Sequence, residues 1–275
     1  MSISSFIQAK SKGAPLLALP VFLKRGLVQR SLFCSSDSLL VSPDQLSGRR
    51  IGLVGYTSSM AVWMRGVLDE ECWLSRSSPS WFILTASPQK TQLETRLLQI
   101  PKDFVAAEIQ AGEELDGYSH HLDRRERFLV YLLQRGDLDA IVSFQARIAS
   151  KDIRPLLANE DEFWSHYVKK GVYPINHLFV MQEDIFAKFP KIGEILLSAF
   201  KEARKLWVDY LPDDKRGAME KEIERLGWDP FACHFGDVEK RTLETFIGYL
   251  LKEKMISERP SVDQLFYRDV IEEKP

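Results

Sequence analysis

An α/β fold built on a mainly parallel sheet is predicted for this chain by three observations. Short apolar runs alternate with stretches whose apolar residues recur every three or four positions. The run Ile51-Gly52-Leu53-Val54 passes through a small polar turn, Gly55-Tyr56-Thr57-Ser58-Ser59, into a helical pattern carrying Val62, Trp63, Val67 and Leu68, which is a βα unit. A second strand of the same kind, Leu138-Asp139-Ala140-Ile141-Val142, follows a helix ending at 129–134 and the turn Gly136-Asp137.

The elements follow in order. Pro15 and Pro20 enclose Leu16-Leu17-Ala18-Leu19, a buried strand, and 31–34 is another. The segment from Ser42 to Arg50 is a short capped helix and turn that delivers the strand at 51–54. Strands are expected at 81–84 and 105–109, and 172–181 is extended, with Pro174 fitting a sheet edge or a crossing segment. The last third is helical. Ile192, Ile195, Leu196, Ala199, Phe200, Ala203, Leu206 and Trp207 form one apolar stripe, and Leu243, Phe246, Ile247, Leu250 and Leu251 form another. Both are expected to be core contacts. The serine- and proline-bearing 73–93 is expected to be mainly loop, and 113–127 a polar, exposed stretch.

Composition narrows the function classes. The chain has 275 residues, enough for one large domain or two modest lobes. Lys plus Arg number 37 against 39 Asp plus Glu, a balance that gives no electrostatic footprint for nucleic acid or an anionic membrane. No apolar run reaches bilayer-spanning length. Cys34, Cys72 and Cys233 lie far apart without C-x-x-C spacing, so free thiols are expected. Residues 1–13 lack the apolar core of a secretory signal; the location expected is cytoplasmic, or periplasmic if a signal precedes them.

Several stretches resemble one family, in the same order and at similar spacing. They are Ser2-Ile3-Ser4-Ser5-Phe6, Leu19-Pro20-Val21-Phe22, the block from Ser42 to Gly55, and Ala61-Val62-Trp63-Met64-Arg65-Gly66. Gly136-Asp137-Leu138-Asp139-Ala140-Ile141 follows, then Gly171-Val172-Tyr173-Pro174-Ile175-Asn176-His177, Asp229-Pro230-Phe231, and Arg241 to Phe246. Together they are similar to the 4,5-dihydroxyphthalate decarboxylases, and the Pro-Ile-x-His stretch is the family-specific part. The resemblance implies a type II periplasmic-binding-protein-like fold: two lobes joined by crossing strands, with a ligand cleft between them. Lobe one would hold residues 1–36 and 167–275, and lobe two residues 37–166. Members of the family carry several dozen further residues at the N-terminus. Lobe one is therefore expected to be incomplete here, and an exported, periplasmic protein stays open alongside the cytoplasmic one.

Candidate site residues follow from this frame. Thr57, Ser58 and Ser59 stand where a helix opens after a strand, so free N–H groups and the helix dipole suit a carboxylate there; the alternative is simple N-capping. Tyr56 either lines the pocket or packs. Arg25 either pairs with a substrate carboxylate or is a surface arginine. His177, in the family-specific stretch, has the ordinary pKa for proton transfer near neutrality; the alternative is a structural histidine. Arg65 fits a salt bridge within its lobe better than a substrate clamp. His120-His121 has no third ligand at metal spacing, so no metal is expected, and no cofactor is required. Two departures bear on the substrate. Where the family usually shows an Arg-His pair this chain reads Val28-Gln29, and after the Asp-Ala strand it reads Ser143-Phe144-Gln145-Ala146-Arg147.

The resemblance implies a carboxy-lyase acting on a hydroxylated aromatic carboxylate such as 4,5-dihydroxyphthalate. Such a site must hold the spectator carboxylate, take up the phenol proton and exclude water. Two rivals stay open: a solute-binding protein delivering a small organic anion to an ABC transporter, and a non-catalytic relative.

Overall fold

The computed structural model describes residues 1–70, 79–85, 105–108, 124–143, 151–157 and 169–271. In chain order the elements are α1 (Ile3–Ser11), β1 (Leu16–Arg25), β2 (Leu32–Ser35), β3 (Arg50–Val54), α2 (Ser59–Glu70), β4 (Ser80–Thr85), β5 (Val105–Glu108), α3 (Arg124–Gln134), β6 (Ala140–Val142) and β7 (Ile153–Pro155). They continue with β8 (Ile175–Gln182), α4 (Glu183–Lys188), α5 (Ile192–Asp209), α6 (Asp213–Leu226) and α7 (Asp237–Lys252). The chain divides into two compact units, one of residues 1–26 and 161–275 and the other of residues 27–160.

The unit of residues 27–160 is built on a six-stranded sheet in the order β5-β4-β3-β6-β2-β7. Strands β5, β4, β3 and β6 run parallel, while β2 is antiparallel to both of its neighbours. The register of β3 on β6 is fixed at its starting end by Asp139. Its carboxylate accepts from the Arg50 backbone N–H at 2.8 Å and from Arg50 Nε at 3.0 Å. Phe128, Leu129, Val130 and Leu133 of α3 pack with Leu138 and Ile141 into the core on one face. Gly52 lets that helix approach: a Cβ there would lie 2.4 Å from Leu138 Cδ1 and 2.6 Å from Leu129 Cδ2.

The bounds of this unit differ from those expected. Lobe one was expected to keep residues 1–36, but the boundary falls at Gly26/Leu27 because β2 is hydrogen-bonded between β6 and β7 and so belongs to this sheet. At the other end the boundary falls at Glu160/Asp161. Of the stretch 113–127, expected to be exposed, 113–123 lie outside the described residues, and Glu126 in the first turn of α3 is buried. Most of 73–93 lies outside the described residues, apart from the segment containing β4.

In the other unit, β1 and β8 form an antiparallel pair. Strand β1 runs through Pro20, which has no N–H to give, and the ladder jumps there from Leu19↔Phe179 to Lys24↔His177. The first residue meets β8 within that gap: the Met1 ammonium donates to the Leu178 carbonyl at 2.9 Å and Leu178 N–H donates back to the Met1 carbonyl at 3.0 Å. Leu19, Val21, Phe186 and Cys233 form a core with Ile192, Leu196 and Phe200 against it. The stripe of α7 is core as expected, with Leu243, Phe246, Ile247 and Leu250 fully buried. The stripe of α5 is core only in part. Ile195, Leu206 and Trp207 are 60%, 53% and 53% exposed, because periodicity marks an apolar face without providing something to cover it.

Candidate active site

Strand order marks a candidate position for a site in the unit of residues 27–160. From β3 the chain proceeds through α2 to β4 on one side, and β6 lies on the other. Strand order therefore reverses between β3 and β6, and in open α/β sheets ligands bind outside the carboxyl ends of the strands at such a reversal. Leu53 pairs with Val142, so Val54-Gly55 and Ser143 emerge side by side at that end. Leu32 of the antiparallel β2 also pairs with Val142, which brings residues 29–31 to the same end.

The turn after β3 is shaped by Gly55, whose φ of +79° lies in the left-handed region that glycine adopts without strain. Ser58 then caps α2. Its Oγ accepts from the Ala61 N–H at 3.2 Å, and its carbonyl accepts the first helical bond from Val62 at 3.0 Å. Capping, one of the two alternatives, is thus occupied by Ser58. The first turn of a helix also carries N–H groups with no intrahelical acceptor and the positive end of the dipole. Thr57 is partly buried and Ser59 is buried. Tyr56 packs rather than presenting its ring: it is buried, with the Arg65 guanidinium 4.1 Å over the ring. This contact places the Arg65 guanidinium within its own unit, stacked on Tyr56.

Three buried polar side chains complete this end of the sheet. Ser143, fully buried at the end of β6, donates from its hydroxyl to the Glu126 carboxylate. Its backbone N–H donates to the Ser31 carbonyl at 2.9 Å, tying β6 to the short 3₁₀ helix Val28–Ser31 that packs on α2. Gln29 of that helix is fully buried, and among the described residues neither its Oε1 nor its Nε2 has a hydrogen-bond partner. Sequence reasoning passed over Glu126, although a signal existed: it stands three, four and seven residues before the buried Leu129, Val130 and Leu133, on the apolar stripe of α3.

Arg25 and His177 belong to the other unit, both on the β1–β8 ladder. The anion-binding role expected for Arg25 is corrected. Its side chain is fully buried, and Nη1 donates to Glu239 Oε1 at 2.7 Å and to the Pro230 carbonyl at 3.2 Å, while Nη2 donates to the Tyr173 carbonyl at 2.9 Å. The guanidinium lies 4.8 Å over Trp228 and 5.3 Å over Tyr173. Burial pushes its pKa down, and the Glu239 charge opposes that shift. Glu239 also accepts from the Gly236 N–H at 3.0 Å, so the ion pair anchors the start of α7.

His177 is partly buried, opposite Lys24 across the ladder and bridged to Ser2. Burial, then the Lys24 charge and the N-terminal ammonium, hold its pKa below the ordinary value of 6.5. At neutral pH the imidazole is uncharged, able to accept a proton but holding none to give as an acid. Among the described residues no group of three or more His, Cys, Asp or Glu side chains could hold a metal ion. His120, His121 and His166 lie outside the described residues, as do 144–147. No helix among the described residues is long and apolar enough to cross a membrane.

No protein-family profile matches the chain. Among curated proteins it is 22% identical over 219 residues to 4,5-dihydroxyphthalate decarboxylase of Comamonas testosteroni, covering 78% of this chain and 62% of that protein. It is 28% identical over 147 residues to 4,5-dihydroxyphthalate decarboxylase of Pseudomonas putida, covering 53% of this chain and 51% of that one. In both cases the chain spans less than two thirds of the relative's length. Among solved structures it superposes on the periplasmic aliphatic sulphonate binding protein SsuA from Escherichia coli with a TM-score of 0.54 at 10% identity, over 98% of this chain and 79% of that one. The chain is thus similar in sequence to two 4,5-dihydroxyphthalate decarboxylases, and its fold is of the type II periplasmic-binding-protein-like α/β class.

Proposed function

We propose that this protein is a decarboxylase-like binder of a small hydroxylated aromatic carboxylate, of which 4,5-dihydroxyphthalate is the type. The observation that carries the reading is the Ser58-capped start of α2 at the strand-order reversal between β3 and β6. A ligand carboxylate there would meet the open N–H groups of the first turn and the positive end of the helix dipole, with the Thr57 hydroxyl alongside. In this reading a base takes the phenol proton. The phenolate drives electron density into the ring, the ring carbon takes a proton from solvent, and the bond to the leaving carboxylate breaks to release carbon dioxide. The phenolate then recovers its proton from that base, so the net reaction consumes one proton per carbon dioxide.

A second reading, a binding protein that delivers a small organic anion without turnover, draws support from the superposition on the sulphonate binding protein, and needs the same helix-terminus donors but no proton donor. One experiment separates the two: incubate the protein with 4,5-dihydroxyphthalate, follow carbon dioxide release, and measure binding by calorimetry in parallel. The enzymatic reading expects release in step with binding. Binding without release establishes the second reading.

A further inference from the structure

We propose that Gln29 is a specificity-determining residue of the site at the end of β3 and β6, and that its carboxamide reads a pair of adjacent hydroxyl groups on the ligand. The inference rests on the organic-acid reading above and adds to it the residue that separates hydroxylated from plain acids. Gln29 is fully buried, and among the described residues both atoms of its amide lack a hydrogen-bond partner. Buried polar groups left in that state are rare in folded proteins and call for an explanation, since each forfeits its hydration with nothing in return.

The place of the residue supplies one. It lies in the 3₁₀ helix Val28–Ser31, which packs on α2 and is tied through Ser31 to Ser143 at the carboxyl end of β6. It is therefore on the side of the sheet where strand order reverses, in the company of the Ser58 cap and the Glu126–Ser143 pair.

The chemistry of the amide selects the partner. A carboxamide offers a donating NH₂ and an accepting oxygen side by side. A carboxylate or sulfonate, which only accepts, would satisfy the NH₂, leave Oε1 unmet and set negative charge against it. Two adjacent hydroxyls meet both atoms, one accepting from Nε2 and the other donating to Oε1. The ligand's charged group would then lie toward the α2 terminus and its hydroxyls toward Gln29.

The test measures binding of 4,5-dihydroxyphthalate and of phthalate by calorimetry to the full chain, in the unaltered protein and in Gln29→Met, which keeps the length and shape of the side chain. Expected is a preference of about tenfold or more for the dihydroxy acid in the unaltered protein. Gln29→Met should erase that preference by weakening the dihydroxy acid alone, and should raise the thermal midpoint of the ligand-free protein because a buried unmet amide is removed. Gln29→Asn, which keeps the amide but draws it back, should show the same selective loss, and carries the test should the methionine variant not fold. A preference that survives both substitutions, or equal weakening of both acids, overturns the role of Gln29 while leaving the organic-acid reading standing. Failure of the unaltered protein to bind either acid overturns both.

Discussion

Replacing Arg25 should unfold its unit rather than weaken a ligand. The guanidinium is sealed from solvent and makes a 2.7 Å bond to Glu239 and two bonds to backbone carbonyls. Arg25→Met leaves the Glu239 carboxylate buried with only the Gly236 N–H against it and strips a donor from the Pro230 and Tyr173 carbonyls. Breaking one half of a buried pair costs about 3–5 kcal/mol, because an uncompensated charge remains. Glu239→Gln, which strands the arginine, should cost a similar amount. The double variant Arg25→Met/Glu239→Gln removes both charges and keeps an acceptor for Gly236, so it should cost less than the sum of the two by about 2 kcal/mol or more. Urea unfolding supplies the free energies, and hydrogen exchange at the α7 amides reports this unit by itself. Arg25→Met with a cost below about 1 kcal/mol, or a double variant equal to the sum of the singles, would refute the reasoning and return Arg25 to the ligand.

Gly52→Ala should destabilise the unit of residues 27–160 by about 1–3 kcal/mol in urea unfolding, since its methyl group meets Leu138 and Leu129 in a packed core. Ser58→Ala should lower stability by about 1 kcal/mol through the lost cap, whereas Ser58→Gly should cost only a few tenths. A thermal-shift comparison of the two reads this directly. His177 gives a pH signature. Its folded pKa lies below 6.5, so the unfolded chain takes up protons first as pH falls. The stability it contributes is complete above about pH 6.5 and is lost as pH drops from there through the folded value. Unfolding midpoints between pH 7.5 and 5 should therefore fall, and His177→Gln should flatten that slope.

Legibility in the sequence followed the range of the interactions involved. The βα unit at 51–68 was readable because a strand, a glycine turn and a helix stripe are neighbours in the chain, and the structure has β3 and α2 there. Strand 31–34 was readable as a strand, but its sheet was not, since pairing with β6 and β7 is decided by residues more than a hundred positions away. That is why the unit boundary moved to Gly26/Leu27. Arg25 was misread for the same reason: its partner Glu239 is 214 residues distant, and nothing beside Lys24 announces a buried cation. Glu126 could have been found on the stripe of α3. Gln29 stood out only as a departure from the family's pattern, because an unmet amide is a property of packing and leaves no local trace.

The central claim is that a small organic acid binds at the carboxyl end of β3 and β6, and the most direct measurement is a hydrogen-exchange footprint of the full chain with and without 4,5-dihydroxyphthalate. The account predicts slowed exchange at the amides of Ser59, Met60 and Ala61 and at Ser143, with little change at the opposite end of the sheet around Arg50 and Asp139. Protection absent from the start of α2, with binding established by calorimetry, would place the ligand elsewhere and contradict the account.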